Sequence, residues 1–395
     1  MLNKKVIFNN YNLQLSIIFI LWIVSILLYF FLNDYVKAGS LEGGVKFGAD
    51  SKFYIRQATM ILNSEASVLD YKSKFGYILF LIPFIYFNIP FVFIVIFQLI
   101  LTAISAWCLY KITTKFFCEL SGIICVALFL LYFPLQIRNF YILTEMLFIN
   151  FSIILSYLIV YFKKIYLPTI VFFIVALISI RPNGILFLFS ILVSIFYFFI
   201  KYKKYFSLSF FVIVSLILIM PIINLLNSYI VDLNLIDSIS TKGIIWGWSL
   251  QNNERCRDSC LGVELINKDF QNNIFDIFKF ISINFVEFLK IFLLKVFWLL
   301  LRARPYYSDI HNYYILFFNV IFYTGFIYGF LKRPKNKFSI NVILFFIFFS
   351  ICLVGLTFAD WSGRFSLYFL PLIMVFSSYG ILIFTKKILN MTNKI

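Results

Sequence analysis

Two acidic residues beside apolar stretches are the first candidates for chemistry in this chain. Asp50 lies in the segment Phe47-Gly-Ala-Asp-Ser-Lys-Phe-Tyr-Ile-Arg-Gln-Ala58, and Glu145 lies in Tyr141-Ile-Leu-Thr-Glu-Met-Leu-Phe148. A helix that starts at Asp50 places Asp50, Tyr54 and Ala58 on one face. A carboxylate next to hydrocarbon is costly unless it is paired or hydrated, so Glu145 is a candidate for a functional site.

Each of these acids also has a purely structural interpretation. Asp50 is of a residue type preferred at helix N-caps, and capping alone would explain its position. Glu145 would lie in the first turn of a helix, where the helix dipole and the nearby Arg138 would satisfy its charge. The residues themselves leave both interpretations open.

Basic residues accompany three turns between apolar stretches. Lys72 and Lys74 precede one stretch, Arg181 begins Arg-Pro-Asn-Gly184, and Arg364 follows Asp360-Trp-Ser-Gly. An arginine fork binds phosphate bidentately, so these cations together predict an anion site. The alternatives are that Arg181 ends a helix before a turn and that Arg364 pairs with Asp360.

The cysteines and the histidine give weaker signals. The spacing of Cys256 and Cys260 permits a disulfide in an oxidising compartment, and two free thiols are the alternative. His311 is the only histidine, with no Cys or His partner nearby in the sequence, although acidic residues could still hold a divalent cation through oxygen ligands. Neither a P-loop nor a Rossmann glycine pattern is present, which disfavours an ATP-driven pump.

The composition indicates the elements that must position these residues. The chain is 63% hydrophobic and 13% charged, with a mean hydropathy of +0.97, which is too apolar for a water-soluble domain of 395 residues. Its net charge of +17 is explained by Lys and Arg in cytoplasmic loops, so we expect no nucleic-acid partner. We therefore predict an all-α polytopic membrane protein whose residues 1–395 form a single transmembrane domain.

Apolar stretches free of charge predict about ten spanning helices. They are Leu13–Leu32, which is read as an uncleaved first span, Phe91–Tyr110, Leu120–Ile137, Met146–Phe162, Ile165–Ile180, Pro182–Ile200, Tyr205–Val231, Asn312–Leu331, Phe338–Ala359 and Phe365–Thr385.

Two further apolar segments are predicted to lie at the membrane surface. Gly76–Phe87 is about half the length that a crossing needs, so it is expected to be re-entrant or interfacial. Phe275–Arg304 is expected to be an interfacial helix because its charges fall mostly on one helical stripe. These charged residues are Asp276, Lys279, Glu287, Lys290 and Lys295.

Excluding both segments gives a consistent topology. Ten crossings place the basic loops and both termini in the cytoplasm, and they leave the loops 33–75 and 232–311 outside. The candidate residues for chemistry then belong to the external face.

At these residues the chain resembles the GT-C superfamily of polytopic glycosyltransferases, most closely its protein-O-mannosyltransferase and aminoarabinose-transferase branch. The similarity covers most of the chain, with the motifs in the same order. The family usually has an acidic pair in the first loop, whereas Ala49 and Ser51 flank Asp50 here. The matching segments are Asp50–Ala58, which looks like the first-loop motif with its catalytic Asp, Lys74–Tyr77, Leu143–Phe148, Arg181–Gly184, Ile239–Asn252 and Gly363–Phe365.

The resemblance implies an enzyme that transfers a sugar from a polyprenyl-phosphate donor, with inversion. The acceptor would be a lipid, a glycan or a protein at the external, periplasmic face of a bacterial inner membrane. The rival functions are a flippase or transporter for lipid-linked sugars and a polysaccharide polymerase or ligase.

The resemblance also implies roles for individual residues. Asp50 and Glu145 would be catalytic, with Asp50 as the base and Glu145 orienting the acceptor or helping to hold a divalent cation. The donor phosphate would bind to Lys74, Arg181 and Arg364. The acceptor or sugar would bind to Tyr54, Arg138 and Asp360.

Overall fold

The computed structural model describes residues 11–33, 40–42, 45–65, 74–203, 273–304, 307–334, 337–356 and 363–392. These residues are mostly helical, with one short hairpin in which strand β1 (Ser40–Glu42) pairs antiparallel with β2 (Val45–Phe47). The α-helices are α1 Tyr11–Asn33, α2 Ala49–Leu62, α3 Phe75–Tyr86, α4 Val92–Phe116, α5 Glu119–Leu131, α6 Phe133–Gln136, α7 Thr144–Val160, α8 Leu167–Ile180, α9 Ile185–Lys201, α10 Ile274–Ile283, α11 Phe285–Leu301, α12 Asp309–Leu331, α13 Phe338–Leu356 and α14 Leu370–Thr392.

Six of the described helical segments are long and apolar enough to cross a membrane, and a bent pair would make a seventh. A helix pairs its backbone N–H and C=O groups internally, which is required in hydrocarbon because hydrocarbon offers no hydrogen-bond partners. The chain is therefore an all-α, multi-pass membrane protein. The six segments are Asn12–Leu32, Val92–Phe116, Pro182–Lys201, Asp309–Leu331, Phe338–Leu356 and Leu370–Lys387.

Of the remaining predicted spans, two are apolar helices of fewer than 18 residues and one lies outside the described residues. The stretches Met146–Phe162 and Ile165–Ile180 correspond to α7, of 17 residues, and α8, of 14 residues. A 3-10 turn, Lys164–Tyr166, extends α8 at its start. The span predicted over Tyr205–Val231 lies outside the described residues, so the count of ten stays a prediction.

The prediction of one continuous helix over Leu120–Ile137 is wrong. The chain bends by 61° between α5 and the segment that follows. Tyr132 at the bend has extended backbone angles, and Pro134 in the first turn of α6 supplies no N–H to the preceding helix. The side-chain amide of Gln136 donates, at 2.8 Å, to the Phe129 carbonyl oxygen, which the N–H of Phe133 would reach in a continuous helix.

The two predicted surface segments are helical in the structure. Gly76–Phe87 corresponds to α3, a helix of 12 residues. The single helix predicted over Phe275–Arg304 is instead two, α10 and α11, divided at Asn284. Lys295 does not belong to an exposed charged stripe as predicted. It is buried near Ile291 and Leu299, and this burial lowers its pKa to about 8.

The chain divides into two compact units. The first comprises residues 1–185, 320–343 and 368–395, and the second comprises residues 186–319 and 344–367. In the first unit, α4 packs against α5 and α7, and α14 packs on α5. The aromatic rings of Phe117 and Tyr379 stack there with centroids 4.3 Å apart. In the second unit, Phe187 and Phe346 stack at 3.9 Å.

Candidate functional site

The starts of α2 and α7 meet in the first unit. Lys46 of β2 forms a bridge with Tyr141, and the Ile142 amide donates to the Lys46 carbonyl oxygen at 3.3 Å. A Cβ atom added to Gly48 would lie 3.9 Å from the Leu143 side chain, which is ordinary van der Waals contact. The first turn of α2 therefore begins beside the first turn of α7.

The start of α3 and the end of α8 also touch. A Cβ atom on Gly76 would come within 2.2 Å of the Ser179 hydroxyl oxygen and 2.9 Å of the Ser179 carbonyl carbon, so only glycine fits. Lys74 is the N-cap of α3 and Arg181 is the C-cap of α8. Each lies two residues from this contact, so the fold brings these two basic positions into one region.

Asp50 lies in the first turn of α2 but is not its cap. The helix begins at Ala49, with Gly48 as the N-cap, and the Gly48 amide donates to the Ser51 hydroxyl at 2.9 Å. The capping interpretation of Asp50 is therefore wrong, because Gly48 and Ser51 complete this helix end. The half-exposed Asp50 carboxylate lies where the helix dipole favours a negative charge.

Glu145 is buried and pairs with Arg181. The Arg181 Nη1 atom lies 3.4 Å from the Glu145 Oε1 atom and donates to the Thr144 hydroxyl at 2.7 Å. The guanidinium carbon lies 4.8 Å from the centre of the Tyr368 ring. Glu145 is 1% exposed, and a carboxylate so buried needs an opposite charge. Arg181 supplies this charge in place of the expected Arg138, while it also ends α8.

Two tyrosines and a lysine line the junction between α2 and α3. The buried rings of Tyr54 and Tyr77 meet edge to face, with centroids 5.2 Å apart. The Lys74 ammonium lies 5.3 Å from the centre of the Tyr54 ring, within range of a cation–π interaction. These contacts hold Lys74 beside the helix face on which Asp50 and Tyr54 were predicted to lie together.

The hydroxyl oxygen of Tyr77 is buried and has no hydrogen-bond partner among the described residues. Burial raises the pKa of this hydroxyl well above its ordinary value, and the neighbouring Tyr54 and Glu145 raise it further. Tyr77 therefore lies near the Glu145 carboxylate. The sequence analysis included Tyr77 only as the end of a motif, although its position one helical turn after Lys74 was the available signal.

Tyr141 is flanked by two cations. The Arg138 guanidinium lies 5.7 Å from the centre of the Tyr141 ring, and the Lys46 ammonium lies 5.9 Å from it. Burial raises the pKa of Tyr141, and Arg138 partly offsets this rise. Lys46 is 1% exposed and was missed by the sequence analysis, because a lysine in an external loop gives no sign of burial.

A buried polar network fixes the segment that precedes α7. The Gln98 side-chain amide donates to the Tyr141 carbonyl oxygen at 3.1 Å. The Thr102 hydroxyl donates to the Asn139 side-chain oxygen at 2.9 Å and accepts from the Asn150 amide at 3.3 Å. These bonds connect α4 and α7 to the turn that carries Arg138 and Tyr141.

The remaining predicted site residues belong to the second unit or lie outside the described residues. Arg364 belongs to the second unit and begins the 3-10 turn Arg364–Tyr368, with its guanidinium 5.5 Å from the centre of the Phe365 ring. The grouping of Arg364 with Lys74 and Arg181 therefore stays a prediction. Asp360, Lys72 and the pair Cys256 and Cys260 lie outside the described residues.

The site fits a divalent cation poorly. Within the part of the chain that the structure describes, no group of three or more His, Cys, Asp or Glu side chains is placed to hold a metal ion. The Glu145 carboxylate already faces the Arg181 guanidinium, which would repel a metal. What these side chains offer instead is a partly exposed carboxylate beside buried cations and tyrosines.

Comparisons of the chain with models of protein families, with curated proteins and with solved structures found no match. The fold and the site together define a multi-pass membrane protein with a charged cluster at its helix ends.

Proposed function

We propose that this chain is a membrane glycosyltransferase of the GT-C type, with about ten spans and both termini in the cytoplasm. It would move a sugar from a polyprenyl-phosphate donor to a lipid, glycan or protein acceptor at the external face of a bacterial inner membrane. The main support is the buried Glu145–Arg181 pair, at the place where the starts of α2, α3 and α7 come together. Charge held at such a cost inside an apolar protein favours a functional role.

The donor side of the site is basic. When a sugar leaves a phosphate, negative charge develops on the phosphate oxygens, and fixed cations stabilise this charge in the transition state. Arg181 is fixed by Thr144, Glu145 and Tyr368, and Lys74 is fixed over Tyr54. A donor with a long apolar tail suits a site that is built among membrane helices.

The acceptor side depends on Asp50. In the proposed reaction an acceptor hydroxyl attacks the anomeric carbon and gives its proton to the Asp50 carboxylate. The new bond joins the acceptor oxygen to the sugar, the bond between sugar and phosphate oxygen breaks, and its electron pair stays with the phosphate. A single displacement of this kind inverts the anomeric centre.

Glu145 has a different task from Asp50. It is buried and neutralised by Arg181, so it holds this arginine in place and orients the site as a positioning residue.

The positions of the charged residues favour transfer over transport. Binding sites of membrane transporters are typically formed by interrupted helices near the middle of the bilayer. Here Asp50, Lys74 and Glu145 lie at the starts of helices, and Arg181 lies at the end of one. A flippase therefore remains the weaker proposal.

The replacement Asp50→Asn tests this function. We expect it to lower transfer from a polyprenyl-phosphate sugar by roughly 100-fold or more, because a general base contributes about this much. The measurement is release of polyprenyl phosphate by purified protein offered a set of such donors.

The matched control is Glu65→Gln, which makes the same type of change at an exposed acid beyond the other end of α2. Both variants should insert and melt like the wild type. Normal turnover by Asp50→Asn would remove Asp50 as the base, and movement of intact donor across liposomes without transfer would favour the flippase.

A further inference from the structure

Tyr77 carries a polar group that the fold does not use. Its side chain is 1% exposed, and its hydroxyl makes no hydrogen bond to any described residue. A buried hydroxyl without a partner costs stability, whereas phenylalanine would make the same ring contacts with Tyr54 and Phe80 without that cost. Among the described residues, this hydroxyl is therefore a buried donor that is left available to a ligand.

The start of α3, which carries Tyr77 in its first turn, provides positive potential. Lys74 caps α3 without any side-chain hydrogen bond at the helix start, so the first-turn amides and the helix dipole add positive potential there. The Lys74 ammonium and the Tyr77 ring both contact the ring of Tyr54. At the close contact between Gly76 and Ser179, α3 meets the end of α8, which carries Arg181.

The protonation of the phenol fits the same conclusion. Because burial raises the pKa of Tyr77 well above its ordinary value, the hydroxyl keeps its proton at neutral pH and acts as a donor. Tyr77 shares the ring of Tyr54 with Lys74, and a proton donor in this setting matches an anionic phosphate oxygen better than it matches a neutral sugar hydroxyl.

We infer that the Tyr77 hydroxyl donates a hydrogen bond to a phosphate oxygen of the lipid carrier. The inference rests on the proposed function and adds to it a residue that recognises the carrier rather than the sugar. It also gives a reason for the close approach of α3 to α8, since this approach places Tyr77 and Arg181 on the same ligand group.

The test measures binding rather than transfer. The replacement Tyr77→Phe removes only the hydroxyl, and Tyr86→Phe makes the same change at an exposed position at the end of the same helix. Dissociation constants are measured for polyprenyl phosphate, uncharged polyprenol, phosphatidic acid and inorganic phosphate, with protein in detergent micelles.

We expect Tyr77→Phe to weaken binding of polyprenyl phosphate about tenfold or more, because hydrogen bonds to charged groups are among the stronger ones. Binding of polyprenol should not change, and Tyr86→Phe should bind both lipids like the wild type. The melting temperature of Tyr77→Phe should equal or exceed that of the wild type.

Three results would overturn the inference. They are unchanged affinity of Tyr77→Phe for polyprenyl phosphate, an equal loss of affinity for polyprenol, and a lower melting temperature. The same dependence with phosphatidic acid or inorganic phosphate, but not with polyprenyl phosphate, would assign the site to another source of phosphate and overturn it too.

The inference and the proposed function can fail separately. If the wild type does not bind polyprenyl phosphate, both fall. If the wild type binds it and Asp50→Asn abolishes transfer while Tyr77→Phe binds normally, only the role of Tyr77 falls.

Discussion

Glu145 and Arg181 depend on each other inside the first unit. An ion pair this deeply buried adds little net stability, because removing both charges from water costs about as much as their attraction returns. Removing one partner is different, since it leaves an uncompensated charge in a medium of low dielectric constant. The pair is therefore best examined by replacing its members singly and together.

We predict that Arg181→Gln lowers the free energy of unfolding by about 3–5 kcal/mol, because it leaves the Glu145 carboxylate without its counter-charge. The double replacement Arg181→Gln with Glu145→Gln should recover most of this loss. Unfolding in detergent is the measurement, with transfer activity followed in parallel.

The cycle separates folding from function. The double variant should be stable and inactive, because the donor phosphate has lost Arg181. An active double variant would contradict the assignment of Arg181 to the phosphate, and a stable single variant would contradict the pairing itself.

At the scale of residues, the sequence predicted the positions of Asp50, Glu145 and Arg181 but not the partner of Glu145. Arg138 was the expected partner because it is near in the sequence, whereas Arg181 reaches Glu145 only through the packing of α7 on α8. The unused hydroxyl of Tyr77 could not be predicted either, because an unmade hydrogen bond is a property of three-dimensional surroundings.

At the scale of elements, the close contact between α3 and α8 positions part of the candidate site. The backbone of Gly76 lies against Ser179, so that any side chain at position 76 displaces a helix. Since Lys74 and Tyr77 are carried by the same first turn of α3, a displacement there moves the proposed phosphate contacts.

We predict that Gly76→Ala lowers the free energy of unfolding by about 1–3 kcal/mol, the usual cost of overpacking, and weakens binding of polyprenyl phosphate. Gly48→Ala is the matched control, because a Cβ atom at position 48 would meet its nearest neighbour at an ordinary 3.8 Å. Equal behaviour of the two variants would show that the close contact does not position the site.

The elements themselves were predicted unevenly. Long apolar stretches such as Phe338–Ala359 became helices with little change, because length and hydropathy alone determine them. The bend at Tyr132 and the division at Asn284 were missed, since each depends on local backbone geometry within a stretch that is otherwise apolar. The burial of Lys295 was missed because it reflects packing of α11 rather than its own periodicity.

At the scale of the whole molecule, the proposed ten-span topology makes a prediction about the two ends of the chain. An even number of crossings places both termini on one side, and the basic loops favour the cytoplasm. We expect a fluorescent protein fused to either terminus to be active, and alkaline phosphatase fused to either terminus to be inactive. If the two ends behave oppositely, the number of crossings is odd. This result would contradict the external position of the loop 33–75 or of the loop 232–311.

The 61° bend after α5 has a consequence for how such chains diversify. The side-chain amide of Gln136 satisfies the Phe129 carbonyl oxygen, which the N–H of Phe133 would satisfy in a continuous helix, so the chain can change direction without leaving this carbonyl unpaired. Hydropathy profiles do not register this exchange, because they count the whole stretch as one apolar run. Two chains with the same profile can therefore differ in the path of the backbone after the bend. Replacing Gln136 alone would be enough to change that path.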